Sequence, residues 1–472
     1  MSIFKACDIR GVVDQQWNEA EAERIGRALG HLMRQAGEAT ICLGGDFRRS
    51  TPRLKRALTD GLLESGVHVL DVGQQPTPVV YFASRHLGCR NVAVVTASHN
   101  PGRYNGIKFL LAGRPPDTEM VQRVEQICRE LASGNAPGAD WRAESTGTIE
   151  SCDVLAEYER WVVCAAAEIV SAGPSTRTVD DDRSASDAPR RVVVDAMEGA
   201  FTHIAPRVLG DAGYVAVSLS PEMDPDFSRR DPNPSSDTNL QPLVAAVVDR
   251  HADMGIALDG DGDRVVLVDH RGAIVRPEQL AVLIQQQCFA RPTVVYDLKS
   301  ASILAHAVEA SGGTARMRPS GYGFIKSTMI DTRAEMGVEA SGHHFFGALD
   351  GGDDGLFTAL VALAIVRRTG TSLADLIRPI GWPAITPDLR IPFSGDTTAA
   401  IEAIAGQCGG QVSRLDGVRA QYEHGWALAR PSITEPAITL RFEGRTNDDL
   451  RRIASRFLAA TPDLLRRVLE KL

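Results

Sequence analysis

Val92-Ala93-Val94-Val95-Thr96-Ala97-Ser98-His99-Asn100-Pro101 joins a short apolar run to a polar turn. Four apolar residues in a row read as a buried strand, and Asn-Pro is a turn signal. Ser98 therefore stands just past the carboxyl end of a strand, where open α/β sheets carry their chemistry. Upstream, Ile41–Leu43 and Val67–Val72 are apolar runs of the same kind, at intervals of about 25 residues. Between the first two, Thr51-Pro52 opens a helix with Leu54, Leu58 and Leu62 as its stripe, Thr51 being the expected N-cap. Ile25, Leu29, Leu32 and Met33 mark an earlier amphipathic helix. Strands alternating with helices predict βαβ units and a mostly parallel sheet.

The design recurs. Val192-Val193-Val194-Asp195 and Val294-Val295-Tyr296-Asp297 are strands ending in Asp, as Leu43-Gly44-Gly45-Asp46 is. Residues 175–190 are polar and turn-forming and are expected to be a flexible surface loop. After about residue 385 the texture changes to short strands, with a helix over Thr446–Ala459. The expectation is an α/β protein of three similar mixed-sheet domains, 1–155, 156–272 and 273–384, plus a smaller α+β domain, 385–472, around a central cleft.

Composition narrows the function. The chain has 472 residues, 43% hydrophobic and 24% charged, enough for several cores. A net charge of −9 without a basic stripe argues against nucleic acid and membrane surfaces as partners, but leaves room for a small anionic substrate. The eight cysteines form no CxxC pair, so neither a zinc site nor a dithiol motif is expected. With no signal-peptide pattern and no run of about 18 apolar residues, a cytoplasmic protein is expected.

Asp259-Gly260-Asp261-Gly262-Asp263-Arg264 is the strongest chemical signal. Three carboxylates at alternate positions, with glycines to curl the loop, converge on one hard cation, and Mg²⁺ suits them. A calcium EF-hand counted from Asp259 fails, because Arg264 and His270 stand where Gly and Glu are needed. Flanking runs Ile256–Leu258 and Val265–Val268 put the loop between strands. Arg430-Pro431-Ser432-Ile433-Thr434-Glu435-Pro436 offers an Arg fork and two hydroxyls for a phosphate, or is an ordinary turn. Glu339, Ser341 and His343, among glycines, suit sugar hydroxyls, or a capped loop. Arg10 and Lys108 are the basic candidates, and Lys108, ten residues after Ser98, can fold back over it. His99 is either a base or a structural donor.

Taken in order, Asp8-Ile9-Arg10-Gly11, Thr96–Pro101, Asp259–Arg264, Glu339-x-Ser341-Gly342-His343 and Arg430–Pro436 resemble the motifs of the α-D-phosphohexomutase family, its phosphomannomutase/phosphoglucomutase branch most of all. The resemblance spans residues 8 to 436. It implies that Ser98 is the phosphorylated residue. Asp259, Asp261 and Asp263 would hold Mg²⁺, which also touches the phosphate on Ser98. Arg10 and Lys108 would be the acid/base candidates at the reacting hydroxyl, with His99 beside them. Glu339 and Ser341 would grip sugar hydroxyls, Lys299 and His343 would be further substrate contacts, and Arg430, Ser432 and Thr434 would hold the non-reacting phosphate. The implied reaction exchanges hexose 6-phosphate and hexose 1-phosphate, mannose or glucose, through a 1,6-bisphosphate, with glucose 1,6-bisphosphate as activator. A monomer or weak dimer is expected.

Three positions depart from the family pattern. Ile433 stands for Asn or Gly, Tyr322 for the His common in this branch, and Ala340 for a Met or Gln that often tracks the sugar. A phosphoglucosamine mutase, a phosphatase and a non-catalytic sugar-phosphate binder are the alternatives. A second phosphate cradle disfavours the phosphatase, and Ser98 together with three aspartates disfavours the binder.

Overall fold

The computed structural model describes residues 2–134, 145–174, 190–432 and 437–472. The loop expected over 175–190 lies, but for its last residue, outside the described residues, as do Ile433 and Thr434.

The first sheet runs, in spatial order, Ile9–Val12, Tyr104–Leu110, Val92–Val95, Thr40–Gly45, His68–Gln74 and Ile149–Ser151. Its centre is parallel, Thr40–Gly45 lying between Val92–Val95 and His68–Gln74. Tyr104–Leu110 runs antiparallel to both of its neighbours, so the sheet is less parallel than alternation predicts. A β-branched, aromatic segment only nine residues beyond Val95 is too close for a crossover helix and returns beside the strand it has just left. Register pairs Lys108 with Val94, which puts Lys108 over the Ser98 loop.

The second sheet is ordered Ile274–Val275, Val265–Asp269, Met254–Leu258, Arg191–Asp195, Val215–Ser218. The third is ordered Thr314–Arg318, Thr293–Asp297, Met336–Val338, His344–Phe346, Gly352–Asp353. In each, parallel strands give way to an antiparallel pair, and the turn between its strands carries motif residues. The aspartate loop links Met254–Leu258 to Val265–Asp269, and residues 339–343 link Met336–Val338 to His344–Phe346. The last sheet is antiparallel, built on Ala437–Gly444 between Gly425–Pro431 and Ala384–Ile385, with Leu389–Pro392 also paired to it.

Expected helices form with small shifts. The helix after Gly45 spans Thr51–Glu64, with Ser50 in the capping position. Thr51 is not the cap because its hydroxyl donates to Asp46 instead, at 2.6 Å. The helix expected over Thr446–Ala459 is Asn447–Phe457, with Thr446 accepting from the Asp449 N–H; a further helix, Pro462–Leu469, follows it.

One apolar core runs through the first three sheets. Helix Leu155–Ser171 sits at the centre of it, Trp161 packing on Phe82 at 4.9 Å between ring centroids and on Phe357 at 6.3 Å. The core thereby fixes the first sheet against helix Gly355–Thr369, and with it the loops that carry the motif residues. Among the described residues no single helix is long and apolar enough to cross a membrane. One pair, 355–369 with 373–380, passes by length and composition, but it is bent by 93° and its first helix is core.

Candidate active site

Ser98 is fully buried and has φ of 50°, a left-handed conformation that costs a non-glycine residue about 1–3 kcal/mol. Surrounding bonds hold it there. The Ser98 N–H donates to the Thr96 hydroxyl at 2.9 Å. Arg48, buried beneath the loop, donates to the carbonyls of Ser98 (2.6 Å), Asn100 (2.7 Å), Pro101 (2.9 Å) and Tyr104 (3.1 Å). Its Nε donates to Asp46 at 3.0 Å, and Asp46 in turn accepts from Thr96 at 2.8 Å. So constrained, the Ser98 hydroxyl points across to the second domain and donates to Asp259 at 2.6 Å.

The aspartate loop is as tightly specified. An added Cβ at Gly260 would lie 2.5 Å from the Ser98 carbonyl, and at Gly262 (φ 85°) 2.1 Å from the Phe201 ring. Only glycine lets the two loops meet. Asp259 accepts from the N–H groups of Gly262 (3.0 Å) and Arg264 (3.2 Å). Asp261 accepts from Thr77 (2.7 Å) and Lys108 (2.8 Å), and Lys108 also pairs with Asp263. The three carboxylates are buried and each offers an oxygen within 4.8 Å of the others, close enough to share a metal ion. Among the described residues, Asp261 Oδ1 and Asp263 Oδ1 are buried without a hydrogen-bond partner, Asp263 Oδ1 having only His343 Nδ1 near it at 3.4 Å. Bare carboxylate oxygens inside a protein are costly, and a hard cation would satisfy both, so the donor set fits a divalent ion.

The electrostatics follow from this crowding. Burial and the neighbouring Asp263 and Asp261 push the Asp259 carboxyl up to about 7. Burial works on Asp261 in the same sense, but the Lys108 ammonium overrides it and holds the group low. Burial opposes the charge on Lys108, yet Asp261 and Asp263 carry its pKa well above the ordinary value, so it stays an ammonium. His99 lies 3.4 Å from the Ser98 hydroxyl. Burial and the cations Arg264 and Arg10 depress its pKa well below the usual imidazole range, leaving the ring neutral. Arg10 donates to Asn100 in the Ser98 loop at 2.9 Å and pairs with Asp8 at 2.7 Å.

The third domain joins this cluster through His343. Its Nδ1 lies 2.6 Å from Asp353 and 3.4 Å from Asp263, and its Nε2 receives the Arg264 Nε–H at 2.7 Å. Glu339 accepts from the Gly321 N–H and from Ser341 at 3.3 Å. Burial pushes the Glu339 carboxyl up. Tyr322 bonds the Cys7 carbonyl at 3.0 Å, tying the third domain to the first, and the Ala340 N–H donates to Asp297 at 3.2 Å.

Lys299 and Arg430 form a second group, with no described contact to Ser98. Lys299 pairs with Asp388 at 3.3 Å, Arg441 reaches Asp388 at 3.7 Å, and Arg430 pairs with Asp416 at 2.6 Å. Ser432 is half-buried and its N–H bonds the Ala437 carbonyl; Thr434 lies outside the described residues. Arg48, Asp46, Thr77, Asp353, Asp388, Asp416 and Arg441 were not singled out from sequence. Only Asp46 carried a signal, as the polar residue closing a strand.

Comparison with known proteins agrees with this arrangement. Domain profiles of phosphoglucomutase/phosphomannomutase match in four segments: alpha/beta/alpha domain I over residues 1–134, domain II over 175–272, domain III over 276–380 and the C-terminal domain over 389–460. A phosphomannomutase/phosphoglucomutase of Pseudomonas aeruginosa is 35% identical over 466 residues, 97% of this chain and 94% of that one. A phosphoglucomutase of Neisseria gonorrhoeae is 32% identical over 467 residues, 97% and 96% of the two chains. The crystal structure of a phosphoglucomutase/phosphomannomutase family protein from Burkholderia thailandensis superposes with a TM-score of 0.84 at 32% identity, covering 97% of this chain and 96% of that one. The chain belongs to the phosphoglucomutase/phosphomannomutase family. Within it the protein is a phosphohexomutase, an isomerase that transfers phosphate intramolecularly on a hexose phosphate.

Proposed function

We propose that the protein interconverts hexose 6-phosphate and hexose 1-phosphate, with mannose, glucose or both as the sugar, through a phosphoserine at Ser98 and a hexose 1,6-bisphosphate. The observation that carries this reading is the Ser98 hydroxyl, fixed in a strained loop and set 2.6 Å from a buried aspartate cluster. Asp259, Asp261 and Asp263 are the residues that would hold Mg²⁺, the phosphate on Ser98 completing the set. The ion would supply Lewis-acid stabilisation to the phosphoryl oxygens.

Phosphoryl transfer is mainly positioning and charge neutralisation. The bond from Ser98 Oγ to phosphorus breaks as the sugar hydroxyl oxygen bonds phosphorus, and the hydroxyl proton moves to a nearby group. His99, neutral and 3.4 Å from the serine oxygen, suits acceptance of that proton. Lys108 and Arg10, both cationic, suit stabilisation of the transferring group. Glu339 and Ser341 orient sugar hydroxyls, and His343 would join them by exchanging its bond to Asp353 or Arg264. Lys299, Arg430, Ser432 and Thr434 hold the phosphate that does not react. The bisphosphate then turns over, and its other phosphate returns to Ser98. Glucose 1,6-bisphosphate primes the unphosphorylated enzyme.

The test is a coupled assay on purified protein with Mg²⁺ and a trace of glucose 1,6-bisphosphate, comparing mannose, glucose and glucosamine 1-phosphates by kcat/KM, alongside intact mass. Wild type should carry one phosphoryl group, and Ser98→Ala should carry none and lose most turnover while still binding substrate. Unchanged turnover in Ser98→Ala refutes the phosphoserine. Preference for glucosamine 1-phosphate moves the sugar, and stoichiometric release of inorganic phosphate makes the enzyme a phosphatase.

A further inference from the structure

A cavity of about 840 Å³ lies between the first and third domains, and none of the active-site residues named above lines it. Its size falls within the range of small-molecule sites, about 300–1,000 Å³, and a domain junction is where such sites form. Helix Thr77–His86 contributes Tyr81 and Arg85 to one wall, and helix Tyr322–Thr332 contributes Lys326 and Met329 to the other.

Among the described residues, two polar side chains in this wall have no acceptor. The Tyr81 hydroxyl is buried without a hydrogen-bond partner there, the residue being 5% exposed. Lys326 is 4% exposed, and among the described residues its ammonium makes neither a hydrogen bond nor an ion pair; it rests 5.0 Å from the centroid of the Tyr81 ring. An ammonium on the face of a ring whose own buried hydroxyl lacks an acceptor leaves two donors that an anion would satisfy. Burial also pushes the Lys326 pKa down to about 8, against the opposing pull of Asp353 and Asp350.

The rest of the lining defines the ligand further. Of the five cationic side chains in the lining, Arg114 pairs with Asp331 and Arg90 with Glu38 (3.9 Å), which leaves Lys326, Arg85 and Arg333 against Glu335 and Asp350, in a chain whose net charge is −9. Between them lie Leu110, Ile169, Phe289, Met329 and Ile330, apolar surface that a hexose phosphate would leave uncovered. We propose that this cavity is a second ligand site, separate from the catalytic cleft, for an organophosphate with an apolar or aromatic body, of the nucleoside diphosphate class. Phosphate oxygens would accept from Lys326, Tyr81 and Arg85, and the body would cover the apolar wall. The ligand would bridge two domains whose contact also sets the active site. Helix Tyr322–Thr332, which carries Lys326, begins at Gly321, whose N–H bonds Glu339, and at Tyr322, whose hydroxyl bonds the Cys7 carbonyl. Occupancy would thereby bias the packing of the sugar-contact loop against the first domain.

The test uses calorimetric titration of the full chain with ADP, GDP and UDP, and with pyrophosphate and glucose 6-phosphate as controls, repeated in Lys326→Met and Tyr81→Phe. At least one nucleoside diphosphate should bind, more tightly than pyrophosphate, and saturating glucose 6-phosphate should not displace it. Lys326→Met should weaken it by about tenfold or more and Tyr81→Phe by about fivefold. Tyr81→Phe removes one orphan oxygen without changing shape, so it keeps the test open if the charge variant misfolds. Absence of binding by all three nucleotides, displacement by glucose 6-phosphate, or affinities unchanged in both variants would each overturn the proposal.

Discussion

Arg48→Lys keeps a cation beneath the Ser98 loop and removes the guanidinium fork. Arg48 makes five side-chain hydrogen bonds, to Asp46 and to the carbonyls of Ser98, Asn100, Pro101 and Tyr104. An ammonium has three donors, so at least two acceptors lose their partner. At about 1–3 kcal/mol for each buried acceptor left unmade, the loop loses about 2–6 kcal/mol of support. That is as large as, or larger than, the cost of about 1–3 kcal/mol for holding Ser98 at φ 50°. The serine then relaxes toward an ordinary backbone conformation, and its oxygen leaves Asp259. A displacement of about 1 Å at a reacting atom costs about 10²-fold in rate. Steady-state kinetics should show kcat down by about that factor, with KM close to wild type because Lys299, Glu339 and Arg430 are untouched. Circular dichroism should confirm a folded protein. A folded Arg48→Lys protein with wild-type kcat would refute the reasoning.

Asp261→Asn removes one charge from the cluster, and the Mg²⁺ concentration for half-maximal activity should rise by more than about tenfold; an unaltered metal titration would count against the loop as a metal site. Gly260→Ala places a methyl 2.5 Å from the Ser98 carbonyl, so the two loops must separate, and kcat should drop by about 10- to 100-fold; full activity would mean that the loops do not meet in solution. Lys326→Met should stabilise the protein. Burial holds the native pKa near 8, below the unfolded value, so the folded state binds fewer protons and stability declines as pH falls from about 10.5 through 8. Below pH 8 that penalty is constant at about 3 kcal/mol. The variant should therefore gain about 1–2 kcal/mol at pH 7, after losing the Tyr81 contact. Chemical denaturation should show the difference shrinking above pH 8, and a gain independent of pH would exclude charge burial as its cause.

What sequence made legible was local. Val92–Val95 and the turn after it, the glycine-spaced aspartates, and the strands ending in Asp all lie within a few residues of the features that mark them. What it hid was set by distant contacts. Arg48 meets Ser98 across 50 positions, Thr77 meets Asp261 across 184, and Asp353 is a site residue only because the third sheet turns it toward His343. A lone buried Arg or Asp leaves no pattern in its own neighbourhood. Tyr104–Leu110 was hidden differently, since Asn105, Gly106 and Lys108 interrupt its apolar residues and its direction follows from the short connection back from Val95.

The same packing bears on how a bisphosphate turns round in the proposed mechanism. Most cations expected to meet phosphate already have a carboxylate: Lys108 has Asp261 and Asp263, Arg10 has Asp8, Lys299 has Asp388 and Arg430 has Asp416. A buried cation without a partner is strongly destabilising, so these pairs let the site stay folded when no phosphate is present. They also weaken the grip. An arriving phosphate exchanges one anion for another instead of meeting an unopposed charge, so its net gain is a fraction of the bare ion-pair energy. Asp388 shows the balance: burial pushes its carboxyl up, yet Lys299 and Arg441 hold it below the ordinary value, a reserve of attraction that phosphate must displace. A cleft with unpaired cations at both ends would hold a 1,6-bisphosphate too firmly to reorient. Pre-paired cations let either phosphate leave, because the carboxylates reclaim the charge as it goes.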